Sequence, residues 1–575
     1  MYKAINKIEV FIWGSRVGAV MLAPQQGYYV FEYDPKFIAS KIELAPIMMP
    51  LSRQPYIFTN LPDLTYKRLP ALLADALPDD FGNALINSWM NRHGIEDKNI
   101  TALDRLAYMG KRGLGALEFK PDTSLPHKNS TAIKLSDIVE SARIVVNGQA
   151  TSDNMAEAAL MQLIAVGTSA GGARAKAVIA WNPQTKEIRS GQFDIPEGFE
   201  HWLLKFDGLT KDNDDKSKLG NTKNYGRIEY AYYKIACKAG ISMNPCSLME
   251  ENGRNHFMTK RFDRDGNTKH HMQTLCAMAH LDYKQKATHD YSQLFITMNR
   301  LNLDYNAKEE AFRRMVFNVV AANNDDHTKN ISFLLEKNSD WKLAPAYDMT
   351  HACNSQNKWI NQHLTSVNGK FKDITLSDLM QVADRFGIGT AKAVIEQVND
   401  AVLQWPSIAK DIGIDNNTIN FVQKNHVFVQ KTAVVLSTSL PYFSPAEKQE
   451  LTSFTNTIQH YYPEANPENL HQLCIIASDM KKLTNQNASG TLSDVKYNTL
   501  TDQQENRIKD LVKDLPGVKL YVSYKTDEPA IRLQIPPNLI NQYIPISYTV
   551  PEIPKNKFNI PPESKTAPDL ISKKR

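Results

Sequence analysis

The sequence has few cysteines, no long apolar run and only a small excess of one charge. Its five cysteines are scattered over 575 residues without a Cys-x-x-Cys pair, which argues against a disulfide scaffold or a cysteine zinc site and favours a reducing compartment. No stretch approaches the roughly 18 uninterrupted apolar residues of a membrane helix. Charges interrupt the apolar runs of residues 1–24, unlike those of a signal peptide. We therefore expect a cytoplasmic protein with no membrane partner.

The net charge is +5 at pH 7, which is small for this length and does not demand a nucleic-acid partner. The length itself predicts about three domains. Period-two apolar runs separated by glycine or proline open the chain and predict a small antiparallel sheet, whereas helical periodicity dominates beyond residue 290. A strand-rich part followed by a helix-rich part predicts an α+β architecture with two lobes.

Polar side chains crowd residues 323–330, Asn-Asn-Asp-Asp-His-Thr-Lys-Asn, between two apolar segments. Asp325 and Asn330 have the D-x-x-x-x-N spacing of a protein-kinase catalytic loop, in which the aspartate deprotonates the attacking hydroxyl and the asparagine holds a metal ion. Asp348 follows downstream between apolar neighbours and supplies a further metal ligand. Oxygen ligands of this kind favour Mg²⁺ over zinc. The alternative is an ordinary polar surface loop.

Residues 167–176, Gly-Thr-Ser-Ala-Gly-Gly-Ala-Arg-Ala-Lys, form a glycine-rich stretch before an apolar run. The backbone amides of such a loop can approach phosphates closely. The stretch fails as a Walker motif because Ala173 stands where lysine should follow the last glycine, whereas a glycine-rich loop that enters a strand is typical of kinases. A plain hairpin is the alternative. The candidate ATP-binding residues here are Gly167, Thr168, Ser169, Gly171 and Gly172.

Two charged residues complete this set of candidates. Lys205 lies among apolar residues on a predicted strand, where a phosphate-contacting lysine belongs, and Glu229 lies on the following predicted helix and could pair with it. The alternatives are a snorkelling lysine on an edge strand and a solvated helix face. The order of parts is that of a protein kinase: glycine loop, strand lysine, helix glutamate, D-x-x-x-x-N and a final aspartate.

Other polar features have simpler interpretations. Residues 263–267, Asp-Arg-Asp-Gly-Asn, predict the tip of a hairpin. His270, His271 and His280 have no ligand partners at metal-binding spacing and are interpreted as structural or exposed. The polar stretch 211–218 predicts a solvated loop.

Together these segments resemble the HipA family of serine/threonine kinases, the toxins of a type II toxin–antitoxin system. The resemblance runs from about residue 8 to about residue 460. It implies a two-lobed, kinase-like α+β fold with an N-terminal subdomain at 1–125, a kinase core at 126–462 and a C-terminal extension at 463–575. The tail from about residue 551 is rich in proline and lysine and is predicted to be disordered. The segments that carry the resemblance are FEYDPKFIAS, APIMMPLS, LPALLADALPDDFGN, MGKRGLGALEF, TSAGGARAK, RIEYAYYKIA, TKRFDR, NNDDHTKNIS and APAYDMT.

The resemblance implies that the protein uses ATP and Mg²⁺. It implies that Asp325 is the catalytic residue, that Asn330 and Asp348 are the metal ligands and that Lys205 contacts the nucleotide phosphates. His327 and Lys329 would complete the catalytic loop beside ATP.

Ser169 matches the serine that the family autophosphorylates in its glycine-rich loop. The resemblance implies a self-limiting switch, because a phosphate with a charge near −2 beside the nucleotide phosphates repels ATP and favours an expelled loop. Thr168 is adjacent and is the alternative acceptor.

The resemblance further implies a protein substrate, such as an aminoacyl-tRNA synthetase, and a HipB-like helix-turn-helix antitoxin. DNA would be contacted only indirectly, through that antitoxin. Two other hypotheses stay open. One is a pseudokinase that acts as a binding or corepressor subunit, which predicts loss of a catalytic side chain. The other is a metal-dependent phosphohydrolase, for which the additional ligands of a two-metal site are missing.

Overall fold

A computed structural model describes most of residues 5–429 and four strands beyond them. The described ranges are 5–123 without 79 and 93, 132–147, 152–166, 175–208 and 224–429, with residue 503 and the strands after 430. Met1–Gln430 and Lys431–Arg575 form two compact units. Within the described part, every helix is too short or too polar to cross a membrane. The predicted loop at 211–218 and the predicted disordered tail lie outside the described residues.

The chain opens with a four-stranded antiparallel sheet and short helices. Alternation explains the first strand, since Ile8, Val10 and Ile12 are fully buried on one face while Glu9 is half-buried on the other. The elements are β1 (Lys7–Ile12), β2 (Ser15–Ala23), β3 (Tyr28–Tyr33), α1 (Pro35–Ser40), α2 (Asp63–Tyr66), α3 (Ala71–Ala74), α4 (Asp80–Arg92), α5 (Ala102–Met109) and β4 (Leu117–Lys120). The strand order is β3-β2-β1-β4, so β4 returns to pair with β1.

A second antiparallel sheet follows, with one long helix packed against it. Its elements are α6 (Leu135–Asn147), α7 (Asp153–Val166), β5 (Lys176–Trp181), β6 (Ile188–Ser190), β7 (Glu200–Lys205), α8 (Tyr225–Lys238), β8 (Cys246–Glu251) and β9 (Arg254–Lys260). The strand order is β6-β5-β7-β9-β8, and Lys176 of β5 lies opposite Lys205 of β7 in the backbone register of these two strands. Gly240, at φ 82°, follows the end of α8 in the left-handed conformation that glycine favours.

The rest of the first unit is mostly helical. Helix α11 is buried from Ala311 to Val320 and forms the centre of this part. The elements are β10 (Arg264–Asp265), β11 (Thr268–Lys269), β12 (His271–Thr274), α9 (Leu275–Met278), β13 (His289–Asp290), α10 (Tyr291–Arg300), α11 (Tyr305–Val320), β14 (Ser332–Leu335), β15 (Trp341–Leu343), β16 (Thr365–Ser366), α12 (Leu376–Phe386), α13 (Ala391–Leu403), α14 (Trp405–Asp411) and α15 (Asn416–Gln423). The polar residues 323–330 connect α11 to β14.

The second unit contains a small sheet. Its strands are β17 (Leu436–Ser437), β18 (Lys519–Ser523), β19 (Ala530–Gln534) and β20 (Tyr543–Ser547), in the order β17-β20-β19-β18. The mixture of sheets and helices confirms the predicted α+β class. The predicted boundaries at 125/126 and 462/463 stay predictions.

Residues 263–267 form the predicted hairpin tip, since β10 pairs with β11, but Asp263 has a larger role. Its carboxylate is buried, lies 2.7 Å from Arg261 Nη2 and 2.8 Å from Arg264 Nη1, and accepts a 2.8 Å hydrogen bond from the Gly115 amide. Arg264 also donates to the Gly113 carbonyl at 3.0 Å. This ionic cluster fastens the loop before β4 to the hairpin, and local sequence patterns could not reveal it because the partners are 148 positions apart.

Several deeply buried histidines predict loss of stability in mild acid. Burial lowers the pKa of His271 and His351 to about 4 and that of His201 and His426 to about 3. These values lie below the ordinary value near 6.5, so the unfolded chain binds more protons between pH 6.5 and 4. We expect the free energy of unfolding to be highest above pH 6.5 and to fall as the pH drops toward 4, by about 1.4 kcal/mol per unit of pKa difference at each site.

Urea denaturation at constant ionic strength checks this expectation, with a midpoint lower at pH 5 than at pH 7. Equal midpoints at the two pH values would contradict it. Carboxylates such as Asp378, whose pKa is lowered to about 2, contribute only at more acidic pH and do not confound the comparison.

Candidate active site

A cleft in the first unit, whose open space including its mouth is about 1250 Å³, collects most of the charged residues predicted from the sequence. Strands β5 and β7, helix α8, the end of residues 323–330 and the segment after β15 contribute to its walls. The predicted residues that line it are Lys205, Glu229, Lys329, Asn330 and Asp348. The predicted glycine-loop residues Gly167, Thr168, Ser169, Gly171 and Gly172 lie outside the described residues.

Lys205 holds two carboxylates that are far apart in the sequence. Its Nζ lies 2.5 Å from Glu229 Oε1 and also donates to Asp348 Oδ1. Glu229 is almost fully buried, so the alternative of a solvated helix face is wrong for this residue. Likewise, Lys205 is fixed by an ion pair on a central strand of its sheet and does not snorkel from an edge.

The electrostatics keep Lys205 and Asp348 charged at neutral pH. Burial alone would lower the pKa of Lys205, but Asp348 and Glu229 outweigh it and raise that pKa. Burial alone would raise the pKa of Asp348, but Lys205 and then Lys176 outweigh it and set that pKa at about 2. Lys176 is 4% exposed and lines the same cleft. Two ammonium groups thus line one cleft, an arrangement that suits the binding of an anion such as a polyphosphate.

The two adjacent carboxylates Asp325 and Asp326 have opposite environments. Asp326 is 3% exposed, and its carboxylate accepts hydrogen bonds from Tyr291 Oη at 3.0 Å and from the Leu364 amide at 2.8 Å. The side chain of Asp325 is 38% exposed. Asp326 therefore anchors the loop to the segment around Leu364, while Asp325 is the carboxylate that a substrate can reach.

Three side chains surround Asp325. Trp359 Nε1 donates a 2.7 Å hydrogen bond to Asp325 Oδ1, and His327 Nε2 lies 4.0 Å from the same oxygen. Asn330 Nδ2 donates to the Asp325 carbonyl at 2.8 Å. The amide of Asn330 is therefore oriented by the loop itself, and the atom that it can offer to a cation is Oδ1.

The remaining loop residues have distinct positions. His327 packs its ring 5.2 Å from that of Tyr283, and the Lys329 ammonium lies 5.2 Å from the centre of the same Tyr283 ring. The Lys329 carbonyl accepts a 2.7 Å hydrogen bond from Tyr347 Oη. Of His327 and Lys329, only Lys329 is among the described residues that line the cleft.

Sequence patterns did not identify three residues of the candidate site. These are Lys176, Trp359 and Asp75, the last of which belongs to the N-terminal sheet region. Lys176 is the last residue of the glycine-rich stretch and could have been found as the first residue of a strand that lines the cleft. Trp359 is 34 positions from Asp325 in a stretch without a motif, so no sequence signal identified it. Asp75, just after α3, also lines the cleft and accepts a 2.7 Å hydrogen bond from the Thr274 amide.

The donor set fits Mg²⁺. Asp348 offers a carboxylate and Asn330 an amide oxygen, both on the same cleft. Within the described part of the chain, His, Cys, Asp and Glu side chains form no cluster of three or more that could cage a metal ion. Mg²⁺ is typically held by one or two protein oxygens together with substrate phosphates and water, which is the arrangement that these residues allow.

Comparison with known proteins gives concordant results. The family profile of the HipA N-terminal domain matches residues 8–120, and that of the HipA-like C-terminal domain matches residues 168–405. HipA of Shewanella oneidensis MR-1, solved in complex with HipB and operator DNA, is similar with a TM-score of 0.50 and 16% identity, covering 72% of this chain and 94% of that chain.

Two other known proteins are similar to this chain, one with a lower TM-score and the other over a short part of its length. The proinflammatory kinase CtkA of Helicobacter pylori has a TM-score of 0.25 and 14% identity over 44% of this chain and 83% of that chain. A Haemophilus influenzae protein named "Putative kinase" is 31% identical over 135 residues, which are 21% of this chain and 39% of that protein. The chain thus spans about two fifths of the length of this curated relative.

Proposed function

Because this chain belongs to the HipA family, we propose that it is an ATP- and Mg²⁺-dependent serine/threonine protein kinase. The observation that carries the proposal is the joining of Lys205, Glu229 and Asp348 in one cleft with the Asp325–Asn330 loop beside it. A lysine–glutamate pair, a metal-binding aspartate and a D-x-x-x-x-N loop are the parts that phosphoryl transfer needs, because that reaction depends on positioning and charge stabilisation.

Each residue then has a defined task. Lys205 and Lys176 hold the nucleotide phosphates. To do so, Lys205 gives up its hydrogen bond to Asp348 and donates to a phosphate oxygen instead. Asn330 and Asp348 would hold Mg²⁺, which supplies neutralisation of the phosphate charge. Asp325 takes the proton of the attacking hydroxyl while that oxygen bonds to the γ-phosphorus, and the bond from the γ-phosphorus to the bridging oxygen breaks to release ADP. Since Trp359 holds Oδ1, Oδ2 is the proton acceptor.

The substrate is a protein in this proposal, and an aminoacyl-tRNA synthetase is the specific candidate from the family resemblance. A HipB-like helix-turn-helix antitoxin is the proposed partner, and the similar Shewanella HipA was solved with HipB and operator DNA. DNA would be contacted only through that antitoxin. We propose the cytoplasm as the location, because Cys237, Cys246, Cys276 and Cys353 are free thiols.

Incubation of the purified chain with Mg-ATP, followed by intact-mass and peptide mass spectrometry, tests the proposal. We expect one added phosphate at Ser169, absent from Ser169→Ala and retained in Thr168→Ala, because Ser169 matches the serine that the HipA family autophosphorylates. Phosphate that persists in Ser169→Ala but is lost from Thr168→Ala would move the switch to Thr168. If the wild type neither gains phosphate nor binds Mg-ATP, the kinase proposal fails and a pseudokinase becomes the better hypothesis.

A further inference from the structure

The carboxylate of Asp325 lies near two aromatic rings, those of Trp359 and Tyr283. Trp359 Nε1 donates a 2.7 Å hydrogen bond to Asp325 Oδ1. His327 Nε2 lies 4.0 Å from the same oxygen, and the centre of the His327 ring lies 5.2 Å from that of Tyr283. A polypeptide that presents a hydroxyl to Asp325 must therefore pass close to both rings.

Both rings are covered by lysines. The Lys286 ammonium lies 4.9 Å from the centre of the Trp359 ring, and those of Lys329 and Lys284 lie 5.2 Å and 5.7 Å from the centre of the Tyr283 ring. Lys286 also donates to the carbonyl of Lys358 at 2.8 Å, which brings an exposed fourth lysine to the same place. We name these residues the lysine rim: Lys284, Lys286, Lys329 and Lys358.

The rim lysines that make side-chain hydrogen bonds do so to neutral carbonyl oxygens. Lys284 donates to the Leu64 carbonyl at 3.3 Å, as Lys286 does to Lys358. The neighbouring carboxylate of Asp282 is 6% exposed and accepts from Thr65 Oγ1 at 2.5 Å. Lys329 also interacts electrostatically with Asp75, but the positive charge of the other rim lysines is left to act on a ligand, and charges of one sign around a site attract ligands of the other.

The position of the rim indicates that its outer lysines meet the polypeptide substrate and not the nucleotide. Lys329 lines the cleft, whereas Lys284, Lys286 and Lys358 are not among the described residues that line it. The phosphates of ATP are already provided for by Lys176 and Lys205 inside the cleft. The anionic groups that the outer lysines meet must then belong to the other substrate.

We propose that the lysine rim binds the substrate polypeptide through acidic residues that flank its phosphorylated serine or threonine. This inference rests on the proposed kinase function and adds the substrate class.

Peptide binding tests the proposal without requiring catalysis. Two fluorescein-labelled peptides of equal length carry a central serine flanked by glutamates or by lysines, and their binding to the full chain is measured by fluorescence anisotropy. We expect the glutamate peptide to bind at least about tenfold more tightly than the lysine peptide. We also expect Lys286→Glu/Lys358→Glu to weaken its binding about tenfold, equivalent to about 1.4 kcal/mol. The matched control, Lys392→Glu/Lys410→Glu on α13 and α14, removes the same charge elsewhere and should leave binding unchanged.

Equal binding of both peptides, or equal losses in the rim and control variants, would overturn the inference. A single-stranded RNA serves as the competing anion: if it binds and depends on the rim while the glutamate peptide does not bind, the rim recognises nucleic acid and the inference is wrong. Rim-dependent binding of the glutamate peptide by a chain that fails the Mg-ATP test would support the acidic-ligand site and refute only the kinase proposal.

Discussion

Asp325→Asn slows phosphoryl transfer by about a thousandfold and leaves nucleotide binding unchanged, if Asp325 is the general base. Asparagine has the same size and can still accept the hydrogen bond of Trp359 Nε1, so the loop keeps its shape. It cannot accept the proton of the attacking hydroxyl. Single-turnover transfer of the γ-phosphate measures the loss, and titration with a fluorescent nucleotide measures binding separately.

Two controls make this result specific to Asp325. Asp340→Asn changes a carboxylate outside the site, next to β15, and should retain full activity. Asp326→Asn should instead destabilise the protein, because the buried Asp326 carboxylate accepts hydrogen bonds from Tyr291 and Leu364. Wild-type rates in Asp325→Asn, with normal nucleotide binding, would remove Asp325 from the catalytic role.

Local sequence patterns were sufficient for the parts of the site that lie on regular elements. Lys205 is on β7 and Glu229 is on α8, the kinds of element predicted for them. Asn330 donates a hydrogen bond to the Asp325 carbonyl, because a tight loop fixes the two ends of the D-x-x-x-x-N motif relative to each other. In these cases the residues that define the structure are neighbours in the sequence.

Contacts between distant segments could not be predicted in this way. The different environments of Asp325 and Asp326 depend on Leu364 and Trp359, which lie 34 or more positions away. The role of Asp263 depends on Gly115, across 148 positions. Burial and hydrogen bonding of such residues are set by tertiary packing, which a single sequence does not encode in any local period.

These long-range contacts make the N-terminal sheet region part of the candidate active site. Asp75, beside α3, lines the cleft and bonds both the amide and the hydroxyl of Thr274, at 2.7 Å and 2.8 Å. Thr274 caps α9, and α9 packs against the Thr328–Asn330 turn of the catalytic loop. The N-terminal region therefore supports the loop that carries Asn330. Although this region matches a family profile of its own, its contacts with the rest of the first unit mean that it is not an independent module.

Asp348→Asn is expected to abolish the effect of Mg²⁺ on nucleotide affinity and to lower the transfer rate by at least about a hundredfold. Asp348 has φ 53°, a left-handed conformation that asparagine tolerates better than most residues, so the backbone is preserved. Lys205 keeps its bond to Glu229 and remains available to the phosphates. The variant thus removes one negative charge at the candidate metal site without dismantling the cleft.

Titration of the nucleotide with and without Mg²⁺ separates the metal effect from phosphate binding. In the wild type, Mg²⁺ should tighten nucleotide binding, whereas in Asp348→Asn the two titrations should coincide. Without Mg²⁺ the variant should bind ATP at least as tightly as the wild type, because Lys205 no longer has to leave a charged carboxylate. Asp348→Ala is a second variant that removes the same carboxylate. Because alanine at this positive φ is strained, this variant also loses about 1 kcal/mol of folding free energy. If Mg²⁺ still tightened nucleotide binding in Asp348→Asn, the metal would be held without this carboxylate, and the ion pair with Lys205 would be its whole role.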